Sequence, residues 1–212
     1  MRFFRRIADT RISAVDIGML ALKSVLAYFI LRECGALVGI TLIVASGWAF
    51  DFAIRCAYGV QGLNYTDKNV YYDQESNRCN IMSFVVLERA DEKFLKECFV
   101  DQLMKYQRMR SRLVRILDNY YFKEVFGAEY QRCFDQAVTV VPPLNNMDEL
   151  SALIAENQNL TLPQDGFQWK VWVCPEMGKD ESVVVYQVHH VIGDGIALFI
   201  MLAGLQDNYS PD

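Results

Sequence analysis

The chain has 212 residues, of which 52% are hydrophobic and 13% aromatic, and its net charge is −5 at pH 7. This length suits one globular domain with an appendage, and the apolar content excludes a chain that is disordered throughout. The acidic balance offers no broad basic surface for phosphates, so no nucleic-acid partner is expected. The only two histidines, His189 and His190, are adjacent. Two imidazoles are too few for a histidine-rich metal centre, and no metal site is expected.

An apolar segment near the N-terminus predicts a membrane helix. Residues 34–50 carry no charge over 17 positions, which corresponds to roughly 25 Å of helix, near the lower limit for crossing a bilayer. We expect one transmembrane helix over 34–50, preceded by an amphipathic or second hydrophobic helix over 13–31. The alternative is a helical hairpin buried in a soluble core. A secretory signal peptide is not expected, because the apolar run begins too late and is too long.

Two glycines in this segment predict close helix packing. Gly35 and Gly39 have the GxxxG spacing, which places both on one face of a helix and lets a second helix approach closely. We therefore predict both as helix-packing positions. The partners expected for this part of the chain are membrane lipid and other membrane-protein subunits.

The distribution of basic residues predicts the orientation and location of the protein. Six Lys or Arg precede residue 34, whereas Arg55 and Lys68 are the only two between 51 and 70. Since basic flanks stay on the cytosolic or matrix side, the N-terminus is expected there, unless 13–31 also crosses and reverses the orientation. We expect an integral membrane protein. The arginine-rich start favours the mitochondrial inner membrane, with the endoplasmic reticulum as the alternative.

The rest of the chain alternates between strand and helix patterns after a polar, tyrosine-rich stretch. We expect a basic, membrane-helical part over 1–60, a linker over 61–80 and an α/β (α+β) layer over 81–212. Apolar alternation predicts strands and helical apolar spacing predicts helices. The predicted strands are 81–87, 167–174 and a central strand 182–188, and the predicted helices are 91–106, 147–158 and 196–205. The basic segment 108–117 fits either a strand or a solvated helix.

The six cysteines are widely spaced. No two lie within four residues of each other, so no CxxC zinc or redox motif exists. Since the chain is also not a short secreted one, we expect mostly buried free thiols in a reducing compartment. The cysteines are Cys34, Cys56, Cys79, Cys98, Cys133 and Cys174.

The strongest chemical signal is the string from His189 to Gly195, in which a hydrophobic strand leads two histidines into a turn. Histidine is the side chain best suited to proton transfer near neutral pH, and a strand end holds it rigidly. Gly193 and Gly195 allow tight backbone geometry around Asp194, which either pairs with an arginine or caps the following helix. Because both imidazoles of the chain lie in this string, we predict a site here rather than a buried structural histidine.

The string HHxxxDG resembles the signature of acyltransferases with a chloramphenicol-acetyltransferase-like fold. Its wider context, over about residues 64–207, is similar to the wax ester synthase/diacylglycerol acyltransferase family. The segments that carry the similarity are Asn80-Ile81-Met82, Arg110-Ser111-Arg112-Leu113, Leu162-Pro163-Gln164-Asp165 with Trp169, and Val185 to His190. One local departure is Phe167-Gln168-Trp169, where that family usually has Pro-Leu-Trp.

The resemblance implies one half of a two-layer acyltransferase fold, preceded by the transmembrane helix or helical hairpin. It also implies transfer of a fatty acyl group from acyl-CoA to an alcohol without an acyl-enzyme. His190 would be the general base, with Asp194 and Gly195 shaping the turn and His189 a member of the motif that is not the base. Acyl-CoA and a lipid alcohol would be the substrates, and no bound cofactor is expected.

The length of the chain leaves two main hypotheses open. Members of that family carry a second, similar half that completes a tunnel, and this chain ends 17 residues after Gly195. The first hypothesis is a membrane-anchored acyltransferase half that works with a second chain or belongs to a longer protein. The alternative is a catalytically silent accessory subunit with a structural role in a large membrane complex. A lipid-binding module without turnover is a third option.

Overall fold

The computed structural model describes residues 14–72, 79–117 and 119–203. The chain forms two compact units. The first contains the described residues up to Gly62 together with Arg115–Tyr121, and the second contains the other described residues from Leu63 onward. The arginine-rich start and the end of the predicted helix 196–205 lie outside the described residues.

Two long helices dominate the first unit. Helix α1 spans Ala14–Cys34 and helix α2 spans Ala36–Tyr58, so each ends later than the predicted 13–31 and 34–50, and α2 also begins two residues later. Among the described residues, α2 is the one helix that is long and apolar enough to cross a membrane. Its one buried residue is Gly39. A helix with nearly all its apolar side chains exposed differs from the buried core hairpin that was the alternative prediction.

The two glycines of the GxxxG spacing shape the junction between these helices. Gly35 separates α1 from α2 with φ of 76°, in the left-handed region that favours glycine. A Cβ built at Gly39 would lie 3.0 Å from Cδ2 and 3.1 Å from Cα of Leu31. Glycine at this position therefore lets α2 approach the main chain of α1. Packing of either glycine against a helix of another subunit stays a prediction.

The structure also contains a small sheet. Strand β1 (Gln61–Gly62) belongs to a three-stranded sheet with β3 (Ser111–Ile116) and β4 (Asn119–Glu124), in the order β1-β4-β3. Near the end of α2, the Asp51 carboxylate accepts a hydrogen bond from Tyr121 Oη at 2.9 Å and pairs with Arg55 at 2.8 Å. The charged groups of this helix are thus partnered close to its C-terminal end.

The second unit is built on a mixed four-stranded sheet in the order β2-β7-β6-β5. Strand β7 pairs antiparallel with β2 and with β6, and β5 pairs parallel with β6. The strands are β2 (Asn80–Glu88), β5 (Val138–Val140), β6 (Trp169–Met177) and β7 (Glu181–His189). Eight of the nine residues of β7 are buried. This confirms the prediction of a central strand, because only a strand covered on both faces needs so continuous an apolar run.

Five helices accompany this sheet, and two of them begin as the sequence predicts. They are α3 (Tyr65–Tyr72), α4 (Glu92–Leu103), α5 (Gly127–Ala137), α6 (Met147–Asn157) and α7 (Gly195–Ala203). The Asp91 carboxylate accepts from Phe94 N at 2.7 Å, and the Asn146 side chain accepts from the first amides of α6. Both are N-caps that satisfy otherwise unpaired helix donors.

Some of the architecture differs from the sequence expectation. The stretch 61–80, predicted as a linker, contains β1 and the helix α3. The basic segment 108–117 is a short 3-10 helix, Gln107–Arg110, followed by β3, so the strand alternative is correct. Helix α5 and strands β4 and β5 had no counterpart in the prediction. The mixed layer of strands and helices confirms the predicted α/β class.

Both faces of the sheet are covered. On one face, Leu150 of α6 packs in a buried cluster with Trp172, Val183 and Val185. The opposite face meets α4 and α7, whose Leu103 and Leu198 line one small space with four residues of β6 and β7. Those four residues are Trp169, Val171, Tyr186 and Val188. The strand that ends at His189 is therefore fixed from both faces and both edges.

The cysteine prediction is correct in part. The described cysteines that the structure places as free thiols are Cys34, Cys56, Cys79, Cys133 and Cys174. Of these five, Cys133 and Cys174 are buried, while Cys34 and Cys56 are exposed on α1 and α2, so the expectation that most are buried is wrong for them. The side chain of Cys98 lies outside the described part of the chain. Burial raises the pKa of the Cys133 thiol, which keeps it protonated.

We expect Gly39→Ala to lower the Tm of the protein in detergent micelles. The added Cβ must displace the Leu31 main chain, and overpacking of this kind costs about 1–3 kcal/mol. Gly47→Ala is the matched control, because a Cβ at Gly47 on the same helix meets nothing within 4 Å. That control is expected to be neutral or stabilising, since alanine favours helix over glycine. Equal Tm values for the two variants would contradict the proposed contact.

Candidate functional site

The two histidines occupy different environments at the end of β7. His189 is the last residue of the strand and only 1% exposed, whereas His190 begins the following turn and is half-buried. The amide of His189 donates to the Gln168 carbonyl and that of His190 to the Cys79 carbonyl, each at 2.9 Å. These hydrogen bonds to the strands on both sides hold the main chain of the two histidines, so the Cα atoms that carry both imidazoles have fixed positions.

The His189 imidazole is part of the buried structure. Its Nδ1 accepts a hydrogen bond from Val191 N at 3.0 Å, which assigns the proton of the neutral ring to Nε2. The ring of Tyr71 meets it edge-on, with centroids 5.6 Å apart. Burial lowers the pKa of His189 from 6.5 to about 4, and the neighbouring His190 contributes to the same direction. His189 is therefore neutral at pH 7.

Four polar side chains, each with one buried and unpaired atom, surround this point. The atoms without a hydrogen-bond partner among the described residues are Asn80 Oδ1, Gln168 Oε1, Gln187 Oε1 and His189 Nε2. The strand register brings these residues together, because Asn80 lies opposite His189, and Gln187 precedes it by two on the same face. The three amide groups donate to main-chain carbonyls between 158 and 166. Such atoms are costly to bury, so their concentration distinguishes the motif end of the sheet from the apolar remainder.

Arg108 holds the turn that follows His190, a role that the sequence reasoning missed. Its Nη1 donates to the carbonyls of Val191 at 3.1 Å and Ile192 at 3.3 Å. Its Nη2 pairs with the Asp67 carboxylate at 3.0 Å, and the guanidinium lies over the Phe122 ring. The arginine-rich segment 108–112 was the available signal, but nothing in its spacing indicates which arginine reaches the turn.

Asp194 and the two glycines of the motif have separate roles. Asp194 is exposed and caps α7, since its Oδ1 accepts from Ala197 N at 2.8 Å. Of the two roles left open by the sequence, capping is the one that the structure shows. A Cβ at Gly193 would lie 3.1 Å from the Ala197 Cβ, whereas one at Gly195 would meet nothing within 4 Å. The close approach of Ala197 therefore explains a glycine at 193, whereas no steric contact requires one at 195.

A small cavity lies on the apolar side of the sheet. Its volume is about 10 Å³, and it lies between the sheet and helices α4 and α7, with Met109, Val188 and Met201 among its lining residues. This is roughly the space of one water molecule. Within the described part of the chain, no group of three His, Cys, Asp or Glu is placed to hold a metal ion.

The sequence and the fold were compared with those of known proteins. No protein-family profile matches the chain. Over 72 residues it is 33% identical to proteins assigned as diacylglycerol O-acyltransferases in Mycobacterium bovis and Mycobacterium tuberculosis. The wax ester synthase/diacylglycerol acyltransferase from Marinobacter aquaeolei VT8 superposes with a TM-score of 0.54 at 14% identity. The starter condensation domain of rhizomide synthetase, solved with C8-CoA, superposes with a TM-score of 0.56 at 12% identity.

The fold is chloramphenicol-acetyltransferase-like. The resemblance to the wax ester synthase/diacylglycerol acyltransferase family is confirmed, and the coverage fits one half of this acyltransferase fold. The match covers 34% of this chain but only 16% of each curated relative. It covers 68% of this chain and 38% of the Marinobacter enzyme, and 69% and 34% for the condensation domain. The chain thus spans well under half the length of these relatives.

The buried His189 predicts a loss of stability in mild acid. The folded pKa of about 4 lies below the ordinary value of 6.5, so the unfolded chain takes up this proton first as the pH falls. Above pH 6.5, His189 is neutral in both the folded and the unfolded chain and does not lower the free energy of unfolding. As the pH falls from 6.5 towards 4, the free energy of unfolding decreases by an amount on the order of 3 kcal/mol, because only the unfolded chain binds the proton. Urea unfolding followed by tryptophan fluorescence measures this effect.

His189→Asn is the matched variant for this measurement. Asparagine keeps an acceptor near Val191 N but does not titrate, so the variant should lose the part of the pH dependence that belongs to His189. Carboxylates that titrate in the same range are common to both proteins and cancel in the difference. A difference in unfolding free energy that is constant from pH 7 to pH 4 would contradict the assignment.

Proposed function

We propose that the chain belongs to the wax ester synthase/diacylglycerol acyltransferase family and is a membrane-anchored acyl-CoA:alcohol O-acyltransferase half with His190 as its general base. The observation that carries this proposal is the contrast between the two histidines. His189 is buried, neutral and hydrogen-bonded into the turn, while His190 is half-buried at the end of a rigid strand. Only the second imidazole is placed to meet a substrate.

The reaction needs one proton acceptor beside the thioester. His190 takes the proton of the acceptor hydroxyl as the hydroxyl oxygen attacks the carbonyl carbon of acyl-CoA. The carbon–sulfur bond then breaks, and the His190 imidazolium returns the proton to the sulfur of CoA. The products are an ester and free CoA. Because His189 stays neutral, it adds no second positive charge beside the imidazolium that forms on His190.

The proposed substrates are acyl-CoA and a lipid alcohol. Support comes from the names of the similar proteins, which include diacylglycerol acyltransferases, a wax ester synthase and a domain solved with C8-CoA. Helix α7, which begins directly after Asp194, exposes Ile196 at 73% and Ile200 at 47%. An exposed apolar surface beside the motif suits a water-insoluble substrate.

A further polypeptide segment is proposed to complete the site. The Marinobacter enzyme is covered over only 38% of its length, and the described residues leave His190 half-buried. Positioning of reactants contributes roughly 7–11 kcal/mol to the barrier reduction in favourable cases. A base that is open to water lacks most of this contribution, so we expect a segment of the same or another chain to cover His190.

Helix α2 is proposed as the membrane anchor. It is 23 residues long, or about 35 Å, and it exposes Leu37 at 80%, Trp48 at 76% and Phe52 at 64%. Exposure of this much apolar surface is unfavourable in water and favourable in the hydrocarbon core of a bilayer. The anchor would keep the protein at the surface where lipid substrates reside. A mitochondrial inner membrane remains our proposed location, with the endoplasmic reticulum as the alternative.

His190→Gln is expected to lower kcat by about 100-fold or more, because general-base catalysis contributes 10²–10⁴-fold. The assay uses the full chain in nanodiscs with long-chain acyl-CoA and either a fatty alcohol or diacylglycerol, and it follows release of the CoA thiol. His189→Asn is the comparison variant and should lose far less, because His189 does not meet the substrate. Equal losses in the two variants would contradict the assigned roles, and absence of turnover in the intact assembly would refute the proposed activity.

A second candidate is a catalytically silent accessory subunit of a large membrane complex. The observation that favours it is the apolar surface of α1, which exposes Leu20 at 67% and Leu22 at 62%. Such a surface is usually covered by lipid or by other protein. In this case His190 would contact lipid or a neighbouring subunit and would transfer no proton.

Native electrophoresis distinguishes this candidate. Membranes are first washed with alkaline carbonate, which should leave the protein in the pellet if α2 is inserted, and are then solubilised in mild detergent. An accessory subunit is expected to migrate with much larger partner chains, which mass spectrometry identifies. Migration only as a free monomer would eliminate the accessory role, and release by carbonate would eliminate the membrane anchor.

A further inference from the structure

We propose that Asp67 and Arg108 form a positioning pair that sets the geometry of the turn carrying His190. The inference rests on the function proposed for His190 and adds residues that the HHxxxDG motif does not contain. It assigns to helix α3 a role in the site, although its sequence reads as part of a polar linker. Three contacts carry the argument: Arg108 with the turn, Asp67 with Arg108, and Tyr71 with His189 at the end of β7.

The first contact is the pair of hydrogen bonds that Arg108 donates to the turn. Val191 and Ile192 are both buried, so their carbonyl groups need donors inside the protein. Arg108 Nη1 supplies them at 3.1 and 3.3 Å. The planar guanidinium can direct one nitrogen to the turn and another to a carboxylate, which a lysine ammonium on a flexible stem does not reproduce. Arg108 therefore holds the two carbonyl groups directly after His190, while the amide of Val191 donates to His189 Nδ1 and that of Ile192 to the His189 carbonyl.

The second contact fixes the guanidinium itself. Asp67 is 7% exposed, and its Oδ2 lies 3.0 Å from Arg108 Nη2. Asp67 is oriented in turn by a reciprocal cap at the start of α3, where Asn64 N donates to Asp67 Oδ2 and Asp67 N donates to Asn64 Oδ1 at 2.7 Å. Removing one partner of such a buried pair leaves the other charge uncompensated. The position of Arg108 thus depends on the first turn of α3.

The third contact lies one helical turn further along α3. Tyr71 follows Asp67 by four positions, so both side chains are on one face of the helix. Tyr71 meets the His189 ring edge-on, while Asp67 reaches residues 191 and 192 through Arg108. Helix α3 therefore supports the chain on both sides of His190. This arrangement also explains how the turn is held while the motif acid, Asp194, caps α7 instead of pairing with an arginine.

The chain offers a matched control for this pair. Arg89 makes the same kind of contact, with Nη2 on the Glu176 carboxylate at 2.7 Å and Nη1 on the Lys179 carbonyl at 3.0 Å. It follows the end of β2 that pairs with Glu181, at the opposite end of β7 from His189. Arg89→Lys and Glu176→Gln therefore remove the same chemistry at a site remote from the motif, although these side chains are more exposed.

The direct test uses the two histidines as spectroscopic probes. The full chain, labelled only at histidine with ¹⁵N, is placed in nanodiscs, and its two imidazole signals are followed by NMR. We expect Arg108→Lys to shift or broaden the His190 signals as the turn samples several conformations. Arg89→Lys should leave both imidazoles unchanged. His190 signals in Arg108→Lys that match the unmodified protein would overturn the proposal.

Kinetics supply a second readout. Arg108→Lys and Asp67→Asn are expected to lower kcat by about 100-fold with little change in KM, because misplacement of a catalytic group by about 1 Å costs this much. Guanidinium added at a non-denaturing millimolar concentration should partly restore Arg108→Ala. Loss of kcat that equals the loss in Arg89→Lys, or a rise in KM alone, would count against a positioning role.

The two readouts separate this inference from the proposed function. If the unmodified protein shows no turnover, the proposed activity fails, but the imidazole signals still decide whether Asp67 and Arg108 hold the turn. If Arg108→Lys does not fold, the isosteric Asp67→Asn replaces it, with Glu176→Gln as its control. Unchanged His190 signals in Asp67→Asn would then overturn the proposal.

Discussion

The pairing of β7 with strands on both of its edges is the constraint on which the rest of the site depends. A strand that is hydrogen-bonded on two sides and packed on two faces has no freedom at its end, so His189 and the amide of His190 have fixed positions. The same burial that fixes the strand removes His189 from water and keeps it neutral. Rigidity of the backbone and the difference between the two histidines therefore have one physical origin.

The motif end of this sheet concentrates the buried polar atoms that have no hydrogen-bond partner among the described residues. Asn80, Gln168 and Gln187 each leave a carbonyl oxygen unpaired beside His189, while the centre of β7 is a run of valines. Buried polar groups of this kind cost stability, and proteins retain them where a site needs them. Arg108 and Asp67 extend the polar region around the turn. The charged side chain that donates to the carbonyls of the turn, Arg108, thus lies outside the HHxxxDG string.

Local patterns predicted the elements whose signals are local. The apolar run of β7 and the helices α4 and α6 depend on neighbouring residues, and the structure confirms them, with Asp91 and Asn146 as their N-caps. Helix α5 and strand β4 were not predicted, and both are tied to the rest of the fold by ion pairs between distant residues, Arg112–Glu129 and Arg110–Glu124. The arginine-rich segment that contains the 3-10 helix and β3 was ambiguous because its charges mask the strand pattern. Three of its arginines, Arg108, Arg110 and Arg112, form ion pairs with carboxylates in the fold.

The sequence by itself determined the long apolar helix, the α/β class and the place of the HHxxxDG string after a central strand, because hydrophobic periodicity and a compact motif are readable from neighbouring residues. Only the tertiary structure decided which histidine is buried, that Asp194 caps a helix, and that Arg108 holds the turn. Arg108 and Val191 lie 83 positions apart in the chain. A contact of that separation exists only once strand pairing has brought the segments together, and no local pattern encodes it.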